Sequence, residues 1–217
     1  MRGPGMMSRQ MMCRLFLASA LMLSSPSLEA SDGDRVDLTF DLTMWSKRDF
    51  DGQTVYDVGP GQAGVICAQA DAAASMLFRQ LKVDLAATPF LNWRWRIEGT
   101  MDISDQRHKR GDDFPARVYV LAQGWRTRAL SLVWSNVENR GEAWPNPFTR
   151  SVQMVALRGG NKQAGVWVNQ KVNVIELFAE HFDTRITSLA GVGIMTDSDN
   201  SGSAASACYA DLHFSAH

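Results

Sequence analysis

Hydrophobic and polar residues alternate one for one along much of the chain. Val36, Leu38, Phe40 and Leu42 interleave with Asp37, Thr39, Asp41 and Thr43; Leu81, Val83 and Leu85 with Lys82 and Asp84; Leu91, Trp93, Trp95 and Ile97 with Asn92, Arg94, Arg96 and Glu98. Residues two apart share one face of a strand, so each run predicts a half-buried β-strand. Segments 116–122, 129–135, 151–157, 164–169, 188–195 and 207–214 are strand-like as well. Clusters such as Gly59-Pro60-Gly61, Gly159-Gly160-Asn161 and Asp197 to Gly202 mark turns between them. One short helix is expected near 173–182, capped by Asn173, with Ile175, Phe178 and Phe182 on one face. Many short strands and a single helix predict an all-β fold, an antiparallel β-sandwich of the jelly-roll kind.

The first thirty residues follow another pattern. Arg9 and Arg14 precede the apolar run Leu15 to Leu23, Ser24-Ser25-Pro26 breaks it, and Ala30 offers a small residue for cleavage. A basic start, a short apolar run and a small residue are the marks of an export signal. Residues 1–30 are therefore expected to be a cleaved signal peptide and 34–217 a single β-sandwich domain in the periplasm or outside the cell. The run is about half the ~20 residues needed to span a bilayer, so no retained transmembrane segment is expected. Cys13 precedes the run, which argues against a lipid anchor. Beyond it stand Cys67 and Cys208, which an oxidising compartment can join as a disulfide or the core can hold as two separate thiols.

Composition narrows the function classes. Of 217 residues, 45% are hydrophobic and 21% charged, a globular balance. Formal net charge is −1, and removing Arg2, Arg9, Arg14 and Glu29 with the signal leaves 19 basic side chains against 22 acidic. A nucleic-acid partner needs a basic face, so none is expected.

Four segments carry a resemblance: Leu91-Asn92-Trp93-Arg94-Trp95-Arg96-Ile97, the run Lys109 to Val120, Trp144-Pro145-Asn146-Pro147, and Gly193 to Asn200. In that order they resemble an exported bacterial family, domain-of-unknown-function family 3047, from about Trp45 to Phe214. That family tends to have Thr where Ser201 stands here. The resemblance implies an exported β-sandwich domain and brings no activity with it.

Three features carry chemistry. Asp197-Ser198-Asp199-Asn200-Ser201-Gly202 repeats the first half of a calcium loop, with Asp at positions one and three, an oxygen side chain at five and Gly at six. Position twelve is Cys208 instead of Glu, so this is no EF-hand. Asp211 is the expected substitute, giving Asp197, Asp199, Ser201 and Asp211 as the metal set and calcium as the cofactor. Alternation would place Cys208, Ala210, Leu212 and Phe214 on one face of the last strand and Tyr209, Asp211 and His213 on the other. The same residue types also build metal-free turns.

The second feature is Asp105, Lys109, Asp112, Asp113 and Arg117, mixed charges running into a strand. They could orient sugar hydroxyls, bind metal, work as acid and base, or form a solvated loop. Arg117 alternates with Val118 and Val120, so it faces away from them and can pair with Asp112 or Asp113. The third feature is tryptophan. Trp93 and Trp95 share a face with Leu91 and Ile97 and are expected in the core. Trp144, with Asn146 in a proline-bracketed loop, is expected as an exposed platform, followed by Trp125.

Other chemistries lack their motifs. The chain has no G-x-S-x-G, Walker loop or dinucleotide fingerprint, its four histidines show no zinc spacing, and neither later cysteine has a nucleophile motif. The best-supported expectation is a non-catalytic module binding a glycan or cell-envelope ligand through Asp105, Lys109, Asp112, Asp113, Arg117, Trp144 and Asn146. The alternative is a polysaccharide hydrolase or lyase using Asp112, Asp113 and Arg117; a purely structural envelope protein is a third reading. Adjacent strand residues point to opposite faces, so an acid–base pair would need a distant partner such as Asp197 or Asp199. Convergence of 105–117 with 197–211 marks a site; separation leaves two decorated loops.

Overall fold

The alternating runs resolve into two sheets stacked face to face in a computed structural model that describes residues 35–58, 64–124 and 127–217. The expected signal peptide, most of the Gly59-Pro60-Gly61 turn region and Trp125 lie outside the described residues. One sheet has six strands: β1 (Arg35–Asp37), β3 (Val55–Val58), β4 (Val65–Asp71), β6 (Phe90–Ile97), β11 (Val168–Asn173) and β13 (Ala204–Ser215). Their order is β11-β6-β13-β4-β3, with β1 added to β13. The other sheet has seven: β2 (Ser46–Asp51), β5 (Ala74–Gln80), β7 (Ala116–Ala122), β8 (Ala129–Ser135), β9 (Ala143–Pro145), β10 (Val152–Gly159) and β12 (Leu189–Asp197). Their order is β2-β5-β12-β7-β8-β10-β9.

Pairing among the described residues is antiparallel, as expected, except that β8 and β10 run parallel. After β8 the chain reverses into β9 but leaves one position open. Strand β10 then fills it, antiparallel to β9 and parallel to β8.

The inward faces interdigitate as the period-two pattern requires. Leu91, Trp93, Trp95 and Ile97 of β6 pack against Val118 and Val120 of β7, Leu130, Leu132 and Trp134 of β8, and Ile194 of β12. Trp95 and Trp134, one from each sheet, meet with ring centroids 5.8 Å apart, and Trp93 stands edge-on to Trp95 at 5.3 Å. Trp93 and Trp95 are thus core residues, as their spacing predicts. Helix α1 (Val174–Phe182) closes one flank. The Asn173 side chain accepts hydrogen bonds from the amides of Ile175 (3.1 Å) and Glu176 (3.3 Å), satisfying two donors that the helix leaves free. Val174 and Phe178 are fully buried, whereas Ile175 and Phe182 pack only partly.

Three expected strands are shorter than their alternation. From the first run only Arg35–Asp37 pairs; Leu38 and Phe40 are buried, but Leu42 is exposed and starts a 3-10 turn. The 81–85 run keeps one bridge, Asp84 to Ser188, and 164–169 is mostly turn before Val168. Conversely, β2, β3, β4, β5 and β9 are not anticipated. Strand β2 reads Ser-Lys-Arg-Asp-Phe-Asp, and β5 is buried on both faces for most of its length, so neither shows clean alternation.

Strand β13 departs in a consequential way. Its register with β6 shifts between Ala210 and His213, and Asp211 adopts a left-handed φ of 55°. The bulge exchanges faces, so Tyr209, Leu212 and Phe214 point into the core while Cys208, Ala210 and Asp211 lie on the outer side. Cys67 and Cys208, directly opposite on β4 and β13, are joined by a disulfide.

Replacing Trp95 by Ala is expected to lower unfolding free energy by roughly 3–5 kcal/mol, because the cavity would open at the sheet–sheet contact. Replacing the exposed Leu42 by Ala should change it by less than about 0.5 kcal/mol. Urea denaturation of both variants checks the assignment of core and surface.

Candidate functional site

In the seven-stranded sheet, Val118 and Val120 point inward, so Arg117 and Tyr119 point outward, as the alternation predicts. Arg117 nevertheless has no access to solvent: it is 2% exposed, beneath the ring of Phe114, whose centroid lies 4.5 Å from its guanidinium carbon. A buried guanidinium needs charged partners with good geometry. Arg117 donates from Nε to Asp197 Oδ1 at 2.7 Å and from Nη2 to Asp197 Oδ2, a bidentate clamp. Nη2 also donates to the backbone oxygen of Asp112, and Nη1 lies 3.5 Å from Asp112 Oδ1 and 3.3 Å from the Tyr119 hydroxyl.

The neighbouring carboxylates fix the loops around this clamp. Asp113, fully buried, accepts from the Asn200 amide (3.1 Å), the Asn200 side chain (2.9 Å) and the Ser201 amide (2.6 Å). It therefore ties the 109–115 segment to the turn after β12. Asp112 Oδ2 accepts from Asn146 Nδ2 at 3.1 Å, while its Oδ1 has no hydrogen bond. Asn146 Oδ1 accepts from the amides of Phe148 and Thr149 and shapes the turn before β10. Tyr209 reaches the site from the opposite sheet: its hydroxyl donates to Met195 O at 2.7 Å, meets Thr196 Oγ1 at 3.0 Å and accepts from the Arg117 amide at 3.3 Å.

Arg117 thus pairs with two carboxyl groups, Asp112 and Asp197, and Asp113 and Asp199 crowd against Asp197. Burial alone would depress the Arg117 guanidinium, but the charges around it, Asp197 foremost, hold it above its ordinary value. Burial pushes the Asp112 carboxyl up to about 6, against the pull of Arg117 and Asn146. Burial and the charge of Asp113 push Asp199 up to about 6 as well. Burial also drives Asp197 upward, while the clamp with Arg117 opposes it. Ligand oxygens of Asp113, Asp197 and Asp199 lie within 4.8 Å of one another, close enough to hold a metal ion.

The segments 105–117 and 197–202 therefore converge, bringing together Asp112, Asp113, Arg117, Asn146, Asp197 and Asp199. Ser201 joins through its amide; its hydroxyl lies 3.4 Å from Ser198 O. Asp211, the expected fourth metal ligand, belongs to the outer side of the other sheet, where its carboxylate pairs with Arg94 at 2.6 Å. The bulge in β13 is the physical reason. Trp144 is corrected from exposed platform to buried side chain: it stacks on Phe114 at 6.2 Å and lies beneath Arg107. Asp105 and Lys109 stay at the surface, Asp105 beside His108 and Lys109 over the ring of Phe148.

Several contributors carry no motif. Gln106 and Asn136 pin the 101–113 loop, Asn136 by donating to Asp113 O at 2.7 Å. Beside the charged cluster, Phe50, Phe78 and Tyr119 form a half-buried aromatic row over Met76 and Met195. The Phe78 ring occupies the space above Gly191, where a Cβ would come within 2.2 Å of it. Alternation around Gly191 and Gly193 was the available signal, since two glycines on one strand face leave room for neighbouring rings.

A family model described as "Protein of unknown function (DUF3047)" matches residues 43–213. No curated protein matches the chain. Among solved structures, a family 11 carbohydrate-binding module of a cellulosomal cellulase from Clostridium thermocellum aligns with 6% identity and TM-score 0.44, over 85% of this chain and 95% of that one. The xyloglucanase domain of a type three effector from Sinorhizobium fredii, in complex with cellobiose, aligns with 7% identity and TM-score 0.46, over 77% and 91%. Endoglucanase 3 of Trichoderma harzianum aligns with 11% identity and TM-score 0.32, over 78% and 96%.

The raised carboxyl of Asp112 has a defined pH consequence. Its unfolded-state value is near 3.8 and its folded value about 6, so the folded state binds the proton more tightly. The stability this contributes is fully present below the unfolded value and is lost as pH rises through about 6. Asp112→Asn is expected to remove that loss, so the variant gains on the wild type progressively between pH 4 and pH 7. Unfolding free energies across that range provide the check; a constant difference refutes the assignment.

Proposed function

The chain belongs to the DUF3047 family of proteins of unknown function, and for it we propose a non-catalytic module that binds a glycan or related cell-envelope carbohydrate on the outward face of its seven-stranded sheet. The observation that carries this reading is the half-buried set of Phe50, Phe78 and Tyr119, whose Tyr119 hydroxyl meets the buried Arg117; Asn146, half-buried and held by Asp112, is the polar group of that cluster nearest solvent. The apolar face of a sugar ring stacks on flat aromatic rings, and its hydroxyls need fixed polar groups at the edge. Strands hold the aromatic rings, and hydrogen bonds to Asp112, Phe148 and Thr149 hold Asn146, so little ordering would accompany binding. Three of the four segments that carry the family resemblance supply residues to this region: Asp112 to Tyr119, Asn146, and Gly193 to Asn200.

The alternative is a polysaccharide hydrolase or lyase, and one observation favours it: a carboxyl at Asp112 titrating near 6 suits a general acid. Against it, Arg117 is committed to Asp197, and both oxygens of Asp113 are taken by the Asn200–Ser201 turn. Two of the three supposed working groups are therefore engaged in holding the fold.

The proposal extends to location and metal. A Cys67–Cys208 bond supports export of residues 34–217, as one domain, to the periplasm or beyond the cell, since such bonds persist in oxidising compartments. Among the described residues no helix is long and apolar enough to cross a membrane. Calcium is the cation proposed for Asp113, Asp197 and Asp199, whose carboxylate oxygens suit a hard divalent ion and whose crowding it would relieve.

Binding to insoluble and soluble polysaccharides, followed by titration calorimetry with the best ligand, tests the main claim. Phe78→Ala and Tyr119→Ala are each expected to weaken binding roughly two- to twelvefold, as loss of one stacking ring worth roughly 0.5–1.5 kcal/mol would. Binding unaffected by both substitutions, or turnover of the polysaccharide, overturns it. For the metal, millimolar calcium is expected to raise the melting temperature relative to chelator, and Asp199→Asn to abolish the shift. Equal melting temperatures with calcium and chelator exclude the ion.

A further inference from the structure

The outer side of the six-stranded sheet carries a second chemical centre, unrelated to the cluster around Arg117. Register places Cys208 of β13 opposite Cys67 of β4 on one side and opposite Arg96 of β6 on the other. The disulfide lies at a cleft of about 230 Å3 that is also lined by Asp57, Gln69, Arg96 and Glu98. Its two sulfurs are not equivalent. Cys67 is the more accessible residue, half-buried, whereas Cys208 is 8% exposed. Arg96 Nη2 lies 3.9 Å from Cys208 Sγ. The guanidinium also sits over the Trp167 ring at 5.6 Å, and among the described residues it has no ion pair with a carboxylate.

We propose that Cys67–Cys208 is a thiol–disulfide exchange site, read by an external dithiol reductant, with Cys67 as the attacked sulfur and Cys208 as the leaving group. Exchange begins when a thiolate attacks one sulfur along the S–S axis, and it is faster when the departing sulfur is the better-stabilised thiolate. The sulfur of the more accessible residue is the one attacked, and the departing one is beside a cation that lowers thiol pKa. The first thiolate of the dithiol bonds to Cys67 Sγ, the Cys67–Cys208 bond breaks, and its electron pair leaves on Cys208 Sγ beside Arg96. The second thiolate of the dithiol then attacks its own sulfur in the mixed disulfide and releases the Cys67 thiolate. The reductant departs as a disulfide and this protein holds two thiols, a balanced two-electron transfer.

The surrounding sheet makes the step local. Strands β4 and β13 remain paired from Val65–Ala210 to Asp71–Ala204, so the thiols stay opposite one another after reduction. A buried structural disulfide, by contrast, would open only when the ladder opens. Asp57 and Glu98 share the cleft and disfavour anionic thiols, so a neutral dithiol is the preferred small probe.

The test is reduction of the full-length folded protein by dithiothreitol at pH 7.5, quenched with an alkylating agent and followed by mass spectrometry. The rate is expected to rise in proportion to dithiothreitol concentration. Arg96→Gln should slow it roughly threefold or more, while Arg96→Lys keeps most of the rate. With a limiting monothiol, the adduct should sit on Cys67 and the alkyl group on Cys208. Circular dichroism confirms that both variants are folded, and equal rates for Arg96→Gln and wild type overturn the proposal. So does a rate independent of dithiothreitol, which marks opening of the sheet as limiting, or an adduct on Cys208.

Discussion

Arg117 carries a positive charge into a place that water cannot reach, and much of the surrounding architecture can be understood as its consequence. A guanidinium stripped of water requires anionic or strongly polar partners on several sides at once. Asp197 from the adjacent strand meets it in bidentate fashion, the backbone of Asp112 accepts a further hydrogen bond, and Phe114 covers its face. The cluster must therefore form from three separate parts of the chain together: the 109–115 segment, β7 and the end of β12. Loss of any partner would leave an uncompensated buried charge, a penalty on the order of 3–5 kcal/mol. The loop over the sheet is held in place by this electrostatic demand more than by its own few apolar contacts.

The constraint propagates outward in two directions. Asp113, next to Asp112, spends both carboxylate oxygens on the turn at Asn200 and Ser201, so the turn following β12 is set by the same segment that covers Arg117. Below, Tyr209 crosses the core and binds the backbone at Arg117 and Met195, coupling the six-stranded sheet to the site. The bulge at Ala210–His213 makes this reach compatible with the rest of β13: Tyr209 faces the core before it, and Leu212 and Phe214 return to the core after it.

The sequence made parts of this legible and concealed others for identifiable reasons. Alternation exposed β6 and β7, and the Asn173 cap exposed the helix, because each pattern reports a local geometry that burial then enforces. It failed at β2 and β5, where an edge position and burial on two faces erase the two-residue period. The orientation of Arg117 followed from Val118 and Val120, but its partner Asp197 is 80 residues away and no spacing links the two. Asp211 was misplaced because alternation assumes unbroken register, and one left-handed residue suffices to reverse it. Trp144 was misjudged for a related reason: prolines around it mark a stiff segment, yet that segment is edge strand β9, which lays the indole against Phe114.

The two outer faces of the sandwich have opposite chemical character, and that contrast follows from how each face treats its charges. On the seven-stranded sheet, opposite charges are buried against one another, leaving Phe50, Phe78 and Tyr119 as the half-exposed surface. A surface of that kind offers flat apolar contact, with its charges withdrawn beneath it. On the six-stranded sheet, charges stay near solvent: Arg94 pairs with Asp211 at the surface, and Arg94 and Arg96 both lie over Trp167. There Arg96 lies 3.9 Å from Cys208 Sγ. Arg117 is fully buried and Arg96 only half-buried, although both sit near the end of a strand in alternating runs that look alike in the sequence.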